Sequence, residues 1–115
     1  MIVLDIPRAT PSLNATRYKH WRVAQREKEL WHQEVRVARM QGGYHGVKPP
    51  QKARVTIERY GPRTLDVDNF IAGLKGLLDA LRRENLIRDD TAACLELVPR
   101  QFRGAPRTVV TVEAV

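Results

Sequence analysis

The chain reads as an α+β domain: a mixed β-sheet with helices packed on it, in the order β-α-β-α-β-β. Three observations carry that expectation. Phe70, Ile71, Leu74, Leu77, Leu78 and Leu81 recur at i, i+3, i+4 and i+7, the stripe of an amphipathic helix over 69–83. Residues 53–60 (ARVTIERY) alternate around Val55 and Ile57, the period of a half-buried strand. Glycine, proline and polar clusters fall between the periodic segments.

Each element follows in order. Residues 2–6 (IVLDI) end at Pro7 and predict a first strand, and PRATPSLNATR is a loop. From Tyr18 to Met40 neither proline nor glycine occurs and strong helix formers dominate. Trp31, Val35 and Ala38 share a face with Ala24, which predicts a long helix, although Glu27 and Glu34 interrupt its stripe. GGYHGVKPP ends that helix. After the second strand and the 69–83 helix, Asn85 opens a turn to Asp89-Asp90. Residues 93–99 and 107–113 read as two last strands joined through Gly104 and Pro106. No repeat, low-complexity tract or internal boundary divides residues 1–115, so a single domain is expected.

Composition narrows the function. The chain has 43% hydrophobic residues, normal for a folded protein, and its apolar runs are too short to span a bilayer. The N-terminus carries Asp5 and Pro7 where a signal peptide needs an apolar stretch, and the lone Cys94 suits a reducing compartment, so a cytoplasmic location is expected. Cys94 itself reads as a small buried filler. Twenty Lys and Arg against 13 Asp and Glu give a net charge of +7, which points to a polyanion such as nucleic acid. A solvated basic surface without a specific partner is the plainer alternative.

The acids are not spread evenly. Asp66, Asp68, Asp79, Asp89 and Asp90, five of the six aspartates, fall between 66 and 90. Carboxylates beside a phosphate backbone repel it unless a cation lies between, which points to a hard divalent metal. Were the backbone extended at Asp66 and Asp68, their side chains would leave one face and suit Mg2+. The structural alternative is helix capping by Asp68 with Asp66 serving the helix dipole, and an acidic turn at Asp89-Asp90. Lys75, Asp79 and Arg82 lie on one flank of the apolar stripe, so Lys75 could neutralise a phosphate or merely pair with Asp79 at i+4. Other chemistries find no support. His20, His32 and His45 have no zinc spacing, and neither a phosphate-binding glycine loop nor a G-x-S-x-G elbow is present.

Leu65-Asp66-Val67-Asp68-Asn69, then Lys75 and Leu78-Asp79-Ala80-Leu81, then Ile87-Arg88-Asp89-Asp90, resemble the D-x-D-N … K-x-x-x-D-A-L … D-D signature of RusA-type Holliday junction resolvases. Pro11-Ser12-Leu13-Asn14 and Tyr18-Lys19-His20-Trp21 resemble that family's opening, so the similarity covers nearly the whole chain. The resemblance implies a crossover junction endodeoxyribonuclease, bacterial or phage-encoded, acting in DNA recombination and repair. It implies a homodimer that nicks four-way DNA junctions in symmetric pairs with Mg2+, or Mn2+ as a substitute. It places the catalytic and metal-binding acids on Asp66, Asp68 and Asp90 and the essential lysine on Lys75, and Asp79 is assigned to structure, orienting Lys75 or a neighbouring loop. The chain departs from the family's shortest D-x-D-N-to-lysine spacing by three extra residues near Phe70-Ile71-Ala72. Arg17, Lys19, Arg22, Arg26 and Arg63 are the candidate DNA-arm contacts. Two other functions remain open: a non-catalytic nucleic-acid-binding protein whose aspartates cap helices, and a Mg2+-dependent nuclease for other branched or single-stranded DNA.

Overall fold

Four strands and three helices make up the computed structural model, which describes residues 1–12 and 21–115. In chain order they are β1 (Ile2–Ile6), α1 (Trp21–Gln41), β2 (Ala53–Gly61), α2 (Val67–Ala72), α3 (Lys75–Arg83), β3 (Leu95–Arg103) and β4 (Arg107–Ala114). The class is the one the sequence predicts, α+β with a mixed sheet. The expected 69–83 helix is two helices.

The sheet order is β1-β4-β2-β3. β4 runs antiparallel to both β1 and β2, whereas β2 and β3 are parallel and need the α2–α3 crossover between them. β3 and β4 are consecutive but not neighbours: they flank β2, and Gly104 N–H closes the link across its end by donating to Gly61 O at 3.0 Å. Alternation decides which face is covered. Ile2, Leu4, Ile6, Ala53, Val55, Ile57, Val110 and Val112 are buried and join one core cluster with the helices, while intervening residues such as Val3, Thr56 and Thr111 lie on the opposite, more exposed face. Each fully buried Leu or Ile in that core contributes about 1.5–3 kcal/mol.

α1 packs through Trp31, Val35 and Ala38, one stripe at i, i+4 and i+7. Trp31 lies against α3 at Gly76, where a Cβ would sit 3.3 Å from its ring, and the Arg8 guanidinium covers the ring at 4.9 Å. The helix ends as GGYHG predicts. Gly43 takes φ +76°, Gly43 N–H donates to Met40 O at 3.1 Å, and Tyr44 N–H donates to Arg39 O at 3.0 Å. α3 closes the same way, with Asn85 at φ +59° and Leu86 N–H donating to Leu81 O at 2.9 Å.

The stripe from Phe70 to Leu81 continues across both short helices: Phe70, Leu74, Leu77 and Leu81 are in the core, joined by Ala80, whereas Ile71, expected on the stripe, is exposed and Leu78 is only partly buried. What breaks the helix is a tertiary contact. Gly73 lies against the segment after β1, and a Cβ there would run into the Pro11 carbonyl. The turn tightens at that point, with Leu74 N–H donating to Ile71 O at 3.1 Å, an i−3 bond.

Candidate active site

The core face of the sheet ends in a polar row. Ile6, Thr108, Arg59 and Gln101 are register partners across the four strands, one step beyond the Leu4–Val110–Ile57–Pro99 row. Each of the three polar side chains turns to loop backbone. Thr108 Oγ1 donates to Arg8 O at 2.6 Å. Arg59, only 8% exposed, donates from Nε to Thr10 O at 2.8 Å and from Nη1 to Arg63 O at 3.1 Å. Burial pulls the Arg59 guanidinium below its ordinary pKa, and among the described residues it has no carboxylate partner. Gln101 clamps Leu65 from both sides: Nε2 donates to Leu65 O at 2.8 Å and Oε1 accepts from Leu65 N–H at 2.7 Å.

That clamp delivers the chain to Asp66. Asp66 is the N-cap residue of α2, with φ −57° and ψ 148°, and its carbonyl accepts the first helical bond from Phe70 N–H at 2.9 Å. Its carboxylate makes no capping bond. Asp68 lies in the first turn of the helix. The two acids are therefore not on one extended face, as an extended backbone would have placed them. They are the N-cap and second helical positions of a single turn, where the positive end of the peptide dipoles favours both charges. The capping account also fails at the side-chain level, since Asp68 follows the cap and Asp66 does not bond.

Asp66 and Asp68 are exposed and form no ion pair among the described residues, and the same is true of Asp90. Glu34, Glu58, Asp89 and Glu113 likewise form none among the described residues, whereas the other acids do. Asp5 is paired with Arg107, Glu27 with Arg8, Glu29 with Arg83, Asp79 with Arg82, and Glu96 with Arg54. Asp90 belongs to the turn after α3, where its backbone N–H donates to the Asp89 carboxylate at 2.8 Å. Arg82 feels both of these acids: its pKa is raised first by its bond to Asp79, with smaller contributions from Asp89 and Asp90. Lys75, the first residue of α3, is exposed and makes no ion pair among the described residues. The expected Lys75–Asp79 pair is absent. Asp79 takes Arg82 instead, at 2.8 Å and i+3, and that bond holds its carboxyl below the ordinary value.

Among the described residues no three His, Cys, Asp or Glu side chains gather tightly enough to enclose a metal ion. Asp66 and Asp68, both exposed at the start of α2, offer hard oxygen donors. Mg2+ keeps several waters and is commonly held by one or two carboxylates together with substrate phosphates. Of the candidate DNA contacts, Arg17 and Lys19 lie outside the described residues. Arg22 and Arg26 are exposed on the first turns of α1, Arg22 with its guanidinium 5.5 Å from the Trp21 ring, and Arg63 is exposed on the β2–α2 loop. No helix among the described residues is long and apolar enough to cross a membrane.

Sequence reasoning missed Arg59 and Gln101. Arg59 left a signal, a charge at an inward position of the alternating β2 pattern. Gln101 left none, because the inward alternation of β3 is already broken at Pro99. No family model matches the chain, and no curated protein matches it.

Proposed function

We propose that the protein is a divalent-metal-dependent DNA endonuclease that resolves four-way junctions by paired nicks. The observation that carries this reading is the state of Asp66 and Asp68. Two carboxylates two residues apart at one helix start are exposed, with no side-chain cap bond at Asp66 and no ion pair among the described residues, while Asp79 of the same acidic stretch has Arg82.

In this reading Asp66 and Asp68 hold Mg2+, or Mn2+ in its place, and Asp90 completes the acidic set with DNA bound. Bound there, the ion would supply positive charge to the phosphodiester while water adds to phosphorus and the bond to the 3′ oxygen breaks. Lys75 neutralises a phosphate oxygen beside them; its ammonium forms no ion pair among the described residues and is available for that role. Exposed basic residues, Arg22, Arg26 and Arg63 among them, contact the duplex arms. A junction has to be cut twice with two-fold symmetry, and one chain of this size offers one such site, so the working form is a homodimer. The net charge of +7 supports a nucleic-acid substrate in general, and the order of the motifs supports the junction in particular.

The deciding experiment offers synthetic four-way junction, flap, duplex and single-stranded DNA to the protein with and without Mg2+. Paired nicks in the junction alone, only with metal, are expected. Cleavage of flap or single strand in preference moves the substrate class, and tight binding without cleavage of any substrate replaces the enzyme with a binding protein.

A further inference from the structure

We infer that Arg59 and Gln101 are a positioning pair that sets the aim of the Asp66 carboxylate, and with it the affinity for a divalent cation; this rests on the metal-dependent reading above. The two residues are direct partners across β2 and β3 and lie on the core face. From there they reach the loop between β2 and α2 at two points, Arg63 O and both main-chain groups of Leu65. Among the described residues no backbone–backbone hydrogen bond holds residues 62–65, so these side chains are the anchors of the loop.

The chemistry of the anchors is unusual for a structural role. A buried guanidinium without a carboxylate is costly, and Arg59 spends it on the carbonyls of Thr10 and Arg63. Gly61 makes room for it, since a Cβ there would stand 2.8 Å from Arg59 Nη1. Gln101 meets Leu65 through a donor and an acceptor at once, which fixes both position and rotation of that peptide. Asp66 comes next in the chain. Its carboxylate has no capping bond of its own, so the backbone position is what the fold sets for it, the point from which the side chain departs. Through Thr10 the same arginine holds the segment whose Pro11 packs on Gly73, two residues before Lys75. The pair thus ties together the approaches to both proposed functional groups.

The test is Mn2+ binding to the free full-length protein, read by the electron paramagnetic resonance signal of unbound Mn2+, for Asp66→Asn, Gln101→Met and Gln101→Asn. Gln101→Met keeps the length of the side chain and removes both bonds. Gln101→Asn keeps the amide one methylene short, and it decides the matter should Gln101→Met melt below the assay temperature. Asp66→Asn is expected to lose binding. The Gln101 variants should bind about tenfold more weakly, as is typical when a partner behind a metal ligand is removed. Hydrogen exchange at the Leu65 amide should quicken, with melting close to wild type. A folded Gln101 variant with a faster Leu65 amide and wild-type Mn2+ affinity overturns the positioning role while the metal site stands. Wild-type Mn2+ affinity in Asp66→Asn removes the metal site itself, and this inference with it.

Discussion

Glu84 and Asp66 are both carboxylates at helix ends in an arginine-rich chain, and their surroundings are opposite. Glu84 is the C-cap residue of α3, where the peptide dipoles disfavour an anion, and it is 6% exposed. The molecule answers with partners from α1: His32 Nε2 lies 2.6 Å from Glu84 Oε2, and the cations Arg39 and Arg36 are 3.4 Å from Oε1 and 3.5 Å from Oε2. Asp66 sits at the favourable end of α2, exposed, with no capping bond and no ion pair among the described residues. Where an acid serves the fold, it is buried and surrounded. Where the surroundings favour an anion and nothing inside the protein takes it, the charge is left for something that arrives from outside.

The most forceful attack on that contrast is at the unpaired end. Replacing Asp66, Asp68 or Asp90 by Asn keeps the side chain's size and, at the N-cap, its capping capacity. Nicking should fall by orders of magnitude, while melting stays within about 0.5 kcal/mol of wild type and junction binding holds or tightens as phosphate repulsion is relieved. Rates and melts on the same preparations are the measurement. Folded Asp66→Asn and Asp68→Asn that both cleave at the wild-type rate would sink the assignment.

Glu84→Gln strikes the other end and should give the mirror result. Losing the anion strands Arg39 and His32 beside a neutral group, at a cost of about 3 kcal/mol. Denaturant unfolding reads the loss, and the nicking rate per folded molecule should be unchanged. A large fall in rate at unchanged stability would place Glu84 among the functional acids and erase the contrast.

Acid titration sharpens the same point. Burial pushes the Glu84 carboxyl up, but the His32 hydrogen bond and the Arg39 and Arg36 charges overcome it and leave the pKa below the ordinary value. A carboxyl depressed in the folded state stabilises the fold fully above its unfolded value, and loses that contribution as pH falls through the folded one. The stability difference between wild type and Glu84→Gln should therefore be constant near neutral pH and shrink below about pH 4. A gap that stays constant into acid would mean that the charge of Glu84 is not what stabilises α1 against α3.

Much of the architecture was legible in the residues, and the exceptions share a cause. β1, β2 and α1 follow from local alternation and helical spacing, and Phe70, Leu74, Leu77 and Leu81 are buried as their stripe requires. The helix break at Gly73 was not legible because its partner, the Pro11 carbonyl, comes from a distant segment. The strand expected over 93–99 is β3, Leu95–Arg103; it runs on through Pro99 because an edge strand tolerates a proline whose missing N–H need not face a neighbour. At the site, the acids were visible as a cluster in sequence. Their local geometry was not, since an N-cap and an extended strand can both carry D-x-D. Glu84 drew no attention because its partners lie on another helix, and Gln101 because a lone glutamine has no pattern.

Asp79 offers the finest test of the contrast, because it lies between its two ends. It stands in the acidic stretch of the sequence with Asp66 and Asp90, yet it has a partner as Glu84 does, Arg82 at 2.8 Å. The pair is partly exposed and spans i to i+3 on one helix, an arrangement worth about 0.3–0.5 kcal/mol. Asp79→Asn should thus lower the melting temperature by only about 2 °C. Its effect on chemistry should be small as well. The released Arg82 already feels Asp89 and Asp90, and without Asp79 it leans further toward them, so a mild weakening of metal dependence is the expected trace. Nicking rates across a Mg2+ titration read this: a raised half-saturation with an unchanged plateau fits a paired, structural Asp79. A plateau that collapses as in Asp66→Asn would move Asp79 into the reacting set, and would show that an ion pair in this molecule does not mark an acid as structural.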